Sequence, residues 1–316
     1  MEKNKFSLKS FLMEKIIYLV LLVLIIVVIC IEPRFLSILN FRNILAQSST
    51  RIIIALAAVI SASMLQSASY AYRMYPNLAE LPVVVPLLVV VVICAVLGML
   101  SGVCVAILKV PPIIATLAMQ LVLYGASSIY FDREPYGAQP IGGITNRITD
   151  ICIKSIKIGP IQIPYLIIIA AIVIAVMWIL WNKTKFGKYM YAIGGNPEAA
   201  QVSGVNVVKL QISIYSLAAI LYAFAAVLEV GRIGSASNTT GNGYEMDAIA
   251  SCVVGGVSMS GGIGTVGGIV IGVLIFTVIN YGLSFVGVNM YWQFIVKGLI
   301  ILLAVMIDMR KYAKRK

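Results

Sequence analysis

The sequence predicts an all-α integral membrane protein: a polytopic helical bundle of about nine candidate spans, in a single transmembrane domain over residues 1–316. Three observations carry this. Hydrophobic residues make up 61% of the chain and charged residues 11%, with a mean hydropathy of +1.00, whereas soluble domains carry about a quarter charged residues. Apolar runs recur at close to the roughly 20 residues a helix needs to cross the hydrocarbon layer. The basic residues gather at the flanks, with Lys3, Lys5, Lys9 and Lys15 at one end and Arg310, Lys311, Lys314, Arg315 and Lys316 at the other. That is the distribution of segments retained on the cytoplasmic side, so the net charge of +12 marks orientation and not nucleic-acid binding. Both termini are expected inside.

The first span is about Ile16–Ile31. Glu32-Pro33-Arg34 follows it without a small-residue cleavage pattern, so it is expected to be a retained span and not a signal peptide. Glu32–Arg51 suggests an amphipathic segment in the interface. Ile52–Leu65 is apolar but short for a crossing. Gln66–Leu81 is polar and carries Tyr70, Tyr72 and Tyr75, a residue type common at the membrane boundary. Val83–Leu108 is a long span, broken sharply at Pro111-Pro112 because proline cannot continue the ladder, and Ile113–Phe131 is the next. Residues 132–163 form the largest outward loop, in which Ile151–Ile153 and Ile161–Ile163 suggest a small hairpin. Pro164–Trp181, Ile212–Val230, Met246–Ser258, Ile263–Phe285 and Trp292–Asp308 complete the set. An odd number of crossings puts the termini on opposite sides, against their shared basic character. The conflict falls between Ile31 and Val83: Ile52–Leu65 is expected to lie shallowly or to join Gln66–Tyr72 in one tilted helix.

Chemistry-bearing groups are few. There is no histidine, which removes imidazole ligands and bases, and four of the five cysteines (Cys30, Cys94, Cys104 and Cys252) lie in apolar stretches, so no disulfide framework is implied. No G-x-x-x-x-G-K-[ST] phosphate loop occurs, so this chain does not itself hydrolyse ATP. Gly262-Ile263-Gly264-Thr265-Val266-Gly267 matches a dinucleotide pattern, but its flanks are membrane-like and not a soluble βαβ unit. The glycines of Gly255–Gly272 instead suit close helix packing or a broken helix beside a substrate path. Glu229, Glu245 and Asp247 bracket the loop 230–244, with Arg232 an available partner. They form either a solvated outward rim or a docking rim for a soluble protein. Gln120, Asn280 and Gln293 are amides within apolar stretches, near Tyr124, Tyr281, Tyr291 and Trp292. Helix–helix hydrogen bonding explains them, as does a path for a neutral, hydroxyl-rich ligand.

The longest polar interruption in the second half is the loop 182–210, with Lys183, Lys185, Lys188 and Lys209 and the single acid Glu198, a cytoplasmic composition. Within it Asn196 reads as an N-cap, Pro197 as the first helical residue and Glu198 as first-turn acid, and Gly204 as the stop.

These residues carry a resemblance. Asn182-Lys183-Thr184, Phe186-Gly187-Lys188, Ala192-Ile193-Gly194-Gly195-Asn196-Pro197-Glu198-Ala199-Ala200 and Val202-Ser203-Gly204-Val205-Asn206 are similar to the permease subunits of bacterial ABC sugar importers, the ribose/xylose/galactoside branch. So are Gly231-Arg232-Ile233-Gly234, Asp247-Ala248-Ile249-Ala250, Val253-Val254-Gly255-Gly256-Val257-Ser258, Ser260-Gly261-Gly262-Ile263-Gly264-Thr265-Val266, Val278-Ile279-Asn280-Tyr281-Gly282 and Tyr291-Trp292-Gln293. Within the branch, the likeness runs to members that carry galactose and methyl galactosides. It implies a multi-pass protein of the bacterial inner membrane, working as a homodimer with an ABC ATPase subunit that uses the ATP and with a soluble or lipid-anchored sugar-binding protein. The ATPase would dock on Gly187, Gly194, Gly195, Asn196, Pro197, Glu198, Ala199, Ala200, Ser203 and Gly204. Arg232, Glu245 and Asp247 would meet the binding protein, and Gln120, Asn280, Tyr281, Trp292 and Gln293 would line the path. Membrane lipid is the surrounding partner, and neither nucleic acid nor enzymatic chemistry is expected. A secondary sugar transporter working alone is the alternative. One departure coincides with the parity conflict. After Arg51-Ile52-Ile53-Ile54-Ala55-Leu56, family members carry a further helix with a Gly-x-Asp-Leu-Ser-x-Gly motif that has no counterpart here. Restoring it would give about ten spans and two cytoplasmic termini.

Overall fold

The computed structural model describes residues 55–133, 137, 139–158, 161–241, 243–258 and 261–313. The expected span Ile16–Ile31 and the interfacial segment after it lie outside these residues. The chain divides into two compact units at Glu245/Met246.

The unit ending at Glu245 is organised on its longest helix. In chain order it holds α1 (Ala55–Met64), α2 (Val84–Ala106), α3 (Pro112–Phe131), α4 (Asn146–Ile153), strands β1 (Ser155–Ile158) and β2 (Ile161–Pro164), α5 (Tyr165–Lys183), α6 (Lys185–Gly195), α7 (Pro197–Val202) and α8 (Val207–Ile233). At about 1.5 Å per residue α8 is some 40 Å long, enough to span a bilayer with its headgroups. Asn206 caps its start, accepting from the Lys209 amide at 2.9 Å, and Gly234 ends it in the left-handed conformation. α2 lies antiparallel against α8 through a Gly-x-x-x-Gly pair. A Cβ on Gly98 would come within 2.5 Å of Ala219 Cβ, and one on Gly102 within 2.8 Å of Ile212 Cα. Backbones in membranes approach this closely only where side chains are absent.

The short helix α1 is packed inside the unit, and it does not continue through Gln66–Tyr72. Ala58, Val59, Ser61 and Ala62 are buried in the main core with Val90, Phe131, Ala223, Val227 and Val230. These small side chains let a ten-residue helix sit deep among longer ones. It stops at Met64 because the next backbone groups are taken by a distant loop: Leu65 accepts from the Thr145 amide at 2.8 Å and the Ser67 amide donates to Gly143 at 2.8 Å. The buried side chain of Gln66 completes the knot, donating to the Gly142 carbonyl at 2.9 Å and accepting from the Met74 amide at 2.8 Å. Ile141 pairs in turn with Ala236, just beyond α8. The ends of α1 and α8 therefore share one end of the unit.

A hairpin is present in the loop 132–163, but its first strand is Ser155–Ile158, not Ile151–Ile153. The latter closes α4, because Ile148 and Cys152, four residues apart, share a buried helix face. α5 fully buries only Leu166 and leaves Ile168, Ile172, Val176, Trp178 and Ile179 exposed.

The second unit contains α9 (Tyr244–Val254, whose first two residues fall in the first unit), α10 (Val266–Phe285) and α11 (Met290–Ala313). The expected crossing Met246–Ser258 is corrected: α9 has 11 residues, about 16 Å, roughly half a span. It ends in a glycine-rich break that opens at Gly255-Gly256, and it packs on α10 so closely that neither Gly268 nor Gly272 has room for a methyl group against the backbone of Gly255 and Ser251. Trp292–Asp308 falls within α11.

Among the described residues five helices are long and apolar enough to cross a membrane: Val84–Ala106, Ile114–Phe131, Tyr165–Lys183, Val207–Ile233 and Val266–Phe285. The chain is a multi-pass helical membrane protein.

Candidate functional site

The loop 182–210 is built as two capped helices on a small core of their own. Thr184 ends α5 and starts α6, its hydroxyl donating to Leu180 at 2.6 Å and accepting from the Gly187 amide at 3.3 Å. Gly187 sits against the Trp181 carbonyl, where no side chain fits. Its place in the expected docking set is thus that of a buried close contact between α5 and α6, not of exposed surface. Ile193, Ala200 and Leu210 are buried together, with Phe186, Val205, Val207 and Ile214 against them.

On that base stands α7, started as its sequence foretells. Asn196 Oδ1 accepts from the Ala199 amide at 3.0 Å, Pro197 is in the first turn with Glu198, and Gly204 has φ +85°. Ser203 donates to the Ala199 carbonyl at 2.8 Å. Gly195, Asn196, Pro197, Glu198, Ala199, Ser203 and Gly204 are exposed, Gly194 is half-buried, and Ala200 points inward as an anchor. Sequence reasoning passed over Val202, which is 90% exposed at the tip. A valine set between the polar residues Gln201 and Ser203 was the available signal.

At the far end of α8 one carboxylate is neither solvated nor alone. Glu229 is completely buried. Arg232 grips both its oxygens, Nη2 to Oε1 at 2.7 Å and Nε to Oε2 at 3.0 Å, and the Tyr244 hydroxyl donates to Oε1 at 2.9 Å. Arg232, expected as a partner for the whole acidic set, thus binds Glu229. Asp247, in α9, is buried and pairs with Lys297 of α11 at 2.9 Å, while Glu245 lies in the first turn of α9. Lys297 was missed in the sequence, where its signal was a lone cation in the apolar run Trp292–Asp308. Such pairing is what buried charges require.

The expected path residues do not share one arrangement. Asn280 is 4% exposed and neither its Oδ1 nor its Nδ2 has a hydrogen-bond partner among the described residues. Tyr281 stacks on Phe285 with ring centres 6.2 Å apart. Gln293 closes the turn between α10 and α11, donating to Val288 at 3.0 Å, and Trp292 faces outward. Gln120 is exposed on α3.

A family model described as the permease component of branched-chain amino acid transport systems matches residues 42–305. The chain is 48% identical over 338 residues to the galactose/methyl galactoside import permease protein of Haemophilus influenzae, covering 100% of this chain and 99% of that one. It is 48% identical over 334 residues to the protein of the same name from Escherichia coli, covering 99% of each. To the ribose import permease protein of Escherichia coli it is 37% identical over 318 residues, with 98% and 97% covered. No solved structure matches the chain. The Haemophilus alignment is 338 residues long on a chain of 316, so at least 22 of its positions have no residue here. A helix of that length rises about 33 Å, the thickness of the hydrocarbon core. The deficit has the size of one span.

Proposed function

Since the chain belongs to this family of permease components, and so is a transport protein and not an enzyme, we propose that it forms the membrane path of an ATP-driven importer of galactose and methyl galactosides. The family description names amino acids and the relatives name sugars. The relatives weigh more, because they match at 48% identity over the whole chain. An import permease works with an ATPase and a binding protein. The observation that carries the coupling role is α7: a capped helix on its own small core, with Glu198 and the apolar Val202 exposed. In this reading ATP is bound and used by the partner ATPase, which seats on the surface from Gly187 to Gly204.

Arg232, Glu245 and Asp247 belong to the face that receives the sugar-loaded binding protein, two permease copies make the functional unit, and the site of action is the bacterial inner membrane. Asn280, Tyr281, Trp292 and Gln293, with Gln120, stand as path residues. In this reading both termini lie on the side of the loop 182–210, so Lys5→Cys and Ser203→Cys should be labelled from the same face. The test is reconstitution in proteoliposomes with the ATPase and binding protein. Galactose uptake that requires ATP and no ion gradient is the expected result. Uptake driven by a proton or sodium gradient without ATP would establish the secondary transporter instead.

A further inference from the structure

α3 carries three faces, and one of them is polar. Ala115, Met119, Leu123, Ser127 and Phe131, four residues apart, form the buried or half-buried seam against the rest of the unit. Leu117, Leu121, Val122 and Ile129 are 52–73% exposed and wholly apolar, a surface suited to lipid. Between these two lies Thr116, Gln120, Tyr124 and Ser128, again four apart. Each such step rises about 6 Å and turns about 40°, so the row stays within one third of the circumference for some 18 Å. Its first three members are exposed. Ser128, at the Phe131 end, accepts from Asn238 Nδ2 at 3.2 Å, which ties the row to the loop beyond α8. Thr116 donates to the Pro112 carbonyl at 3.0 Å. The Gln120 amide and the Tyr124 hydroxyl have no partner among the described residues.

A carboxamide or hydroxyl left in hydrocarbon without a hydrogen bond forfeits its hydration with nothing in return, so this face is not a lipid face. No residue from Pro112 to Phe131 carries a charge. Carboxamide, phenol and hydroxyls match a neutral polyhydroxylated solute and supply no counter-charge to the ammonium or carboxylate of an amino acid. A tyrosine also presents a flat apolar face to a sugar ring. Resting on the reading of the chain as a sugar permease, the geometry points to the Thr116–Gln120–Tyr124 row of α3 as the part of the translocation path that hydrogen-bonds the passing hexose. Gln120, near the middle of the span, is its principal contact.

The full transporter, with a permease freed of its five native cysteines, provides the test. Thr116→Cys, Gln120→Cys and Tyr124→Cys should react with a membrane-impermeant methanethiosulfonate during turnover, and galactose-loaded binding protein should slow the Gln120→Cys reaction severalfold. Leu117→Cys, Leu121→Cys and Val122→Cys should stay unreactive. Gln120→Leu should cut the galactose carried per ATP hydrolysed by about tenfold while sugar-stimulated hydrolysis persists, and Gln120→Asn should restore most of it. A row closed to the reagent in every state, in a transporter that still couples ATP to uptake, would show that α3 packs there against another helix and overturn the proposal. Absence of ATP-driven uptake in the unaltered chain would instead count against the permease reading itself.

Discussion

Glu229 and Arg232 sit one turn apart on α8 and are joined by two hydrogen bonds of 2.7 and 3.0 Å, with the carboxylate sealed from solvent. Removing one partner of such a pair strands a buried charge, at a cost of about 3–5 kcal/mol, whereas replacing both by apolar groups is often neutral. Arg232→Ala should therefore lower the yield of folded protein and its melting temperature in detergent. The double change Glu229→Met with Arg232→Met should recover most of the loss. Equal melting of the single variant and the parent would show that the pair carries no stability.

For the coupling surface, the expected outcome is loss of communication without loss of fold. Glu198→Lys reverses the charge at the start of α7, where the helix dipole favours an acid, and Val202→Asp charges its exposed tip. Gly195→Leu adds bulk where a Cβ would meet nothing within 4 Å, so the fold has room for it. Each should abolish sugar-stimulated ATP hydrolysis in the reconstituted complex, with the permease inserted in normal amount. Ala200→Leu should differ by disrupting the small core beneath and lowering the yield.

Helix packing in the first unit depends on Gly102. A leucine there meets the Ile212 backbone, which cannot move aside as a side chain can, and overpacking of this kind costs about 1–3 kcal/mol or more. Gly102→Leu should lower the melting temperature and weaken cysteine cross-linking between α2 and α8. Gly125→Ala, at a position with open space around it, should leave both unchanged.

The loop between α1 and α2 is held by Glu80. Its carboxylate lies below the ordinary value of 4.5, chiefly because the Ala68 amide donates to it and then because the Ser67 hydroxyl does. A lowered folded-state value means that the loop is stabilised above pH 4.5, and that this contribution is lost as the pH falls through the lowered value. Trypsin cleavage after Arg73 should accelerate severalfold in Glu80→Ala at neutral pH. The parent should show a matching loosening, read as faster labelling of Ser69→Cys, only on acidification below pH 4.5. A cleavage rate indifferent to Glu80 would remove it as the fastening.

The legible parts of this protein are those whose physics is local. The cap at Asn196 acts three residues along the chain, so its type and spacing suffice to place α7, and the run of motifs from Asn182 to Gln293 suffices to place the family. Long apolar segments announce helices because an unpaired backbone in hydrocarbon is too costly to occur. Hydropathy, however, measures only escape from water, and protein interior and lipid satisfy it equally. It could not show that Ala58 and Ala62 take α1 into the core, or that Met246–Ser258 holds only half a span. Nor could it join Asp247 to Lys297, 50 residues apart. Those were decided by which helix faces which, a property of packed surfaces that no single segment contains.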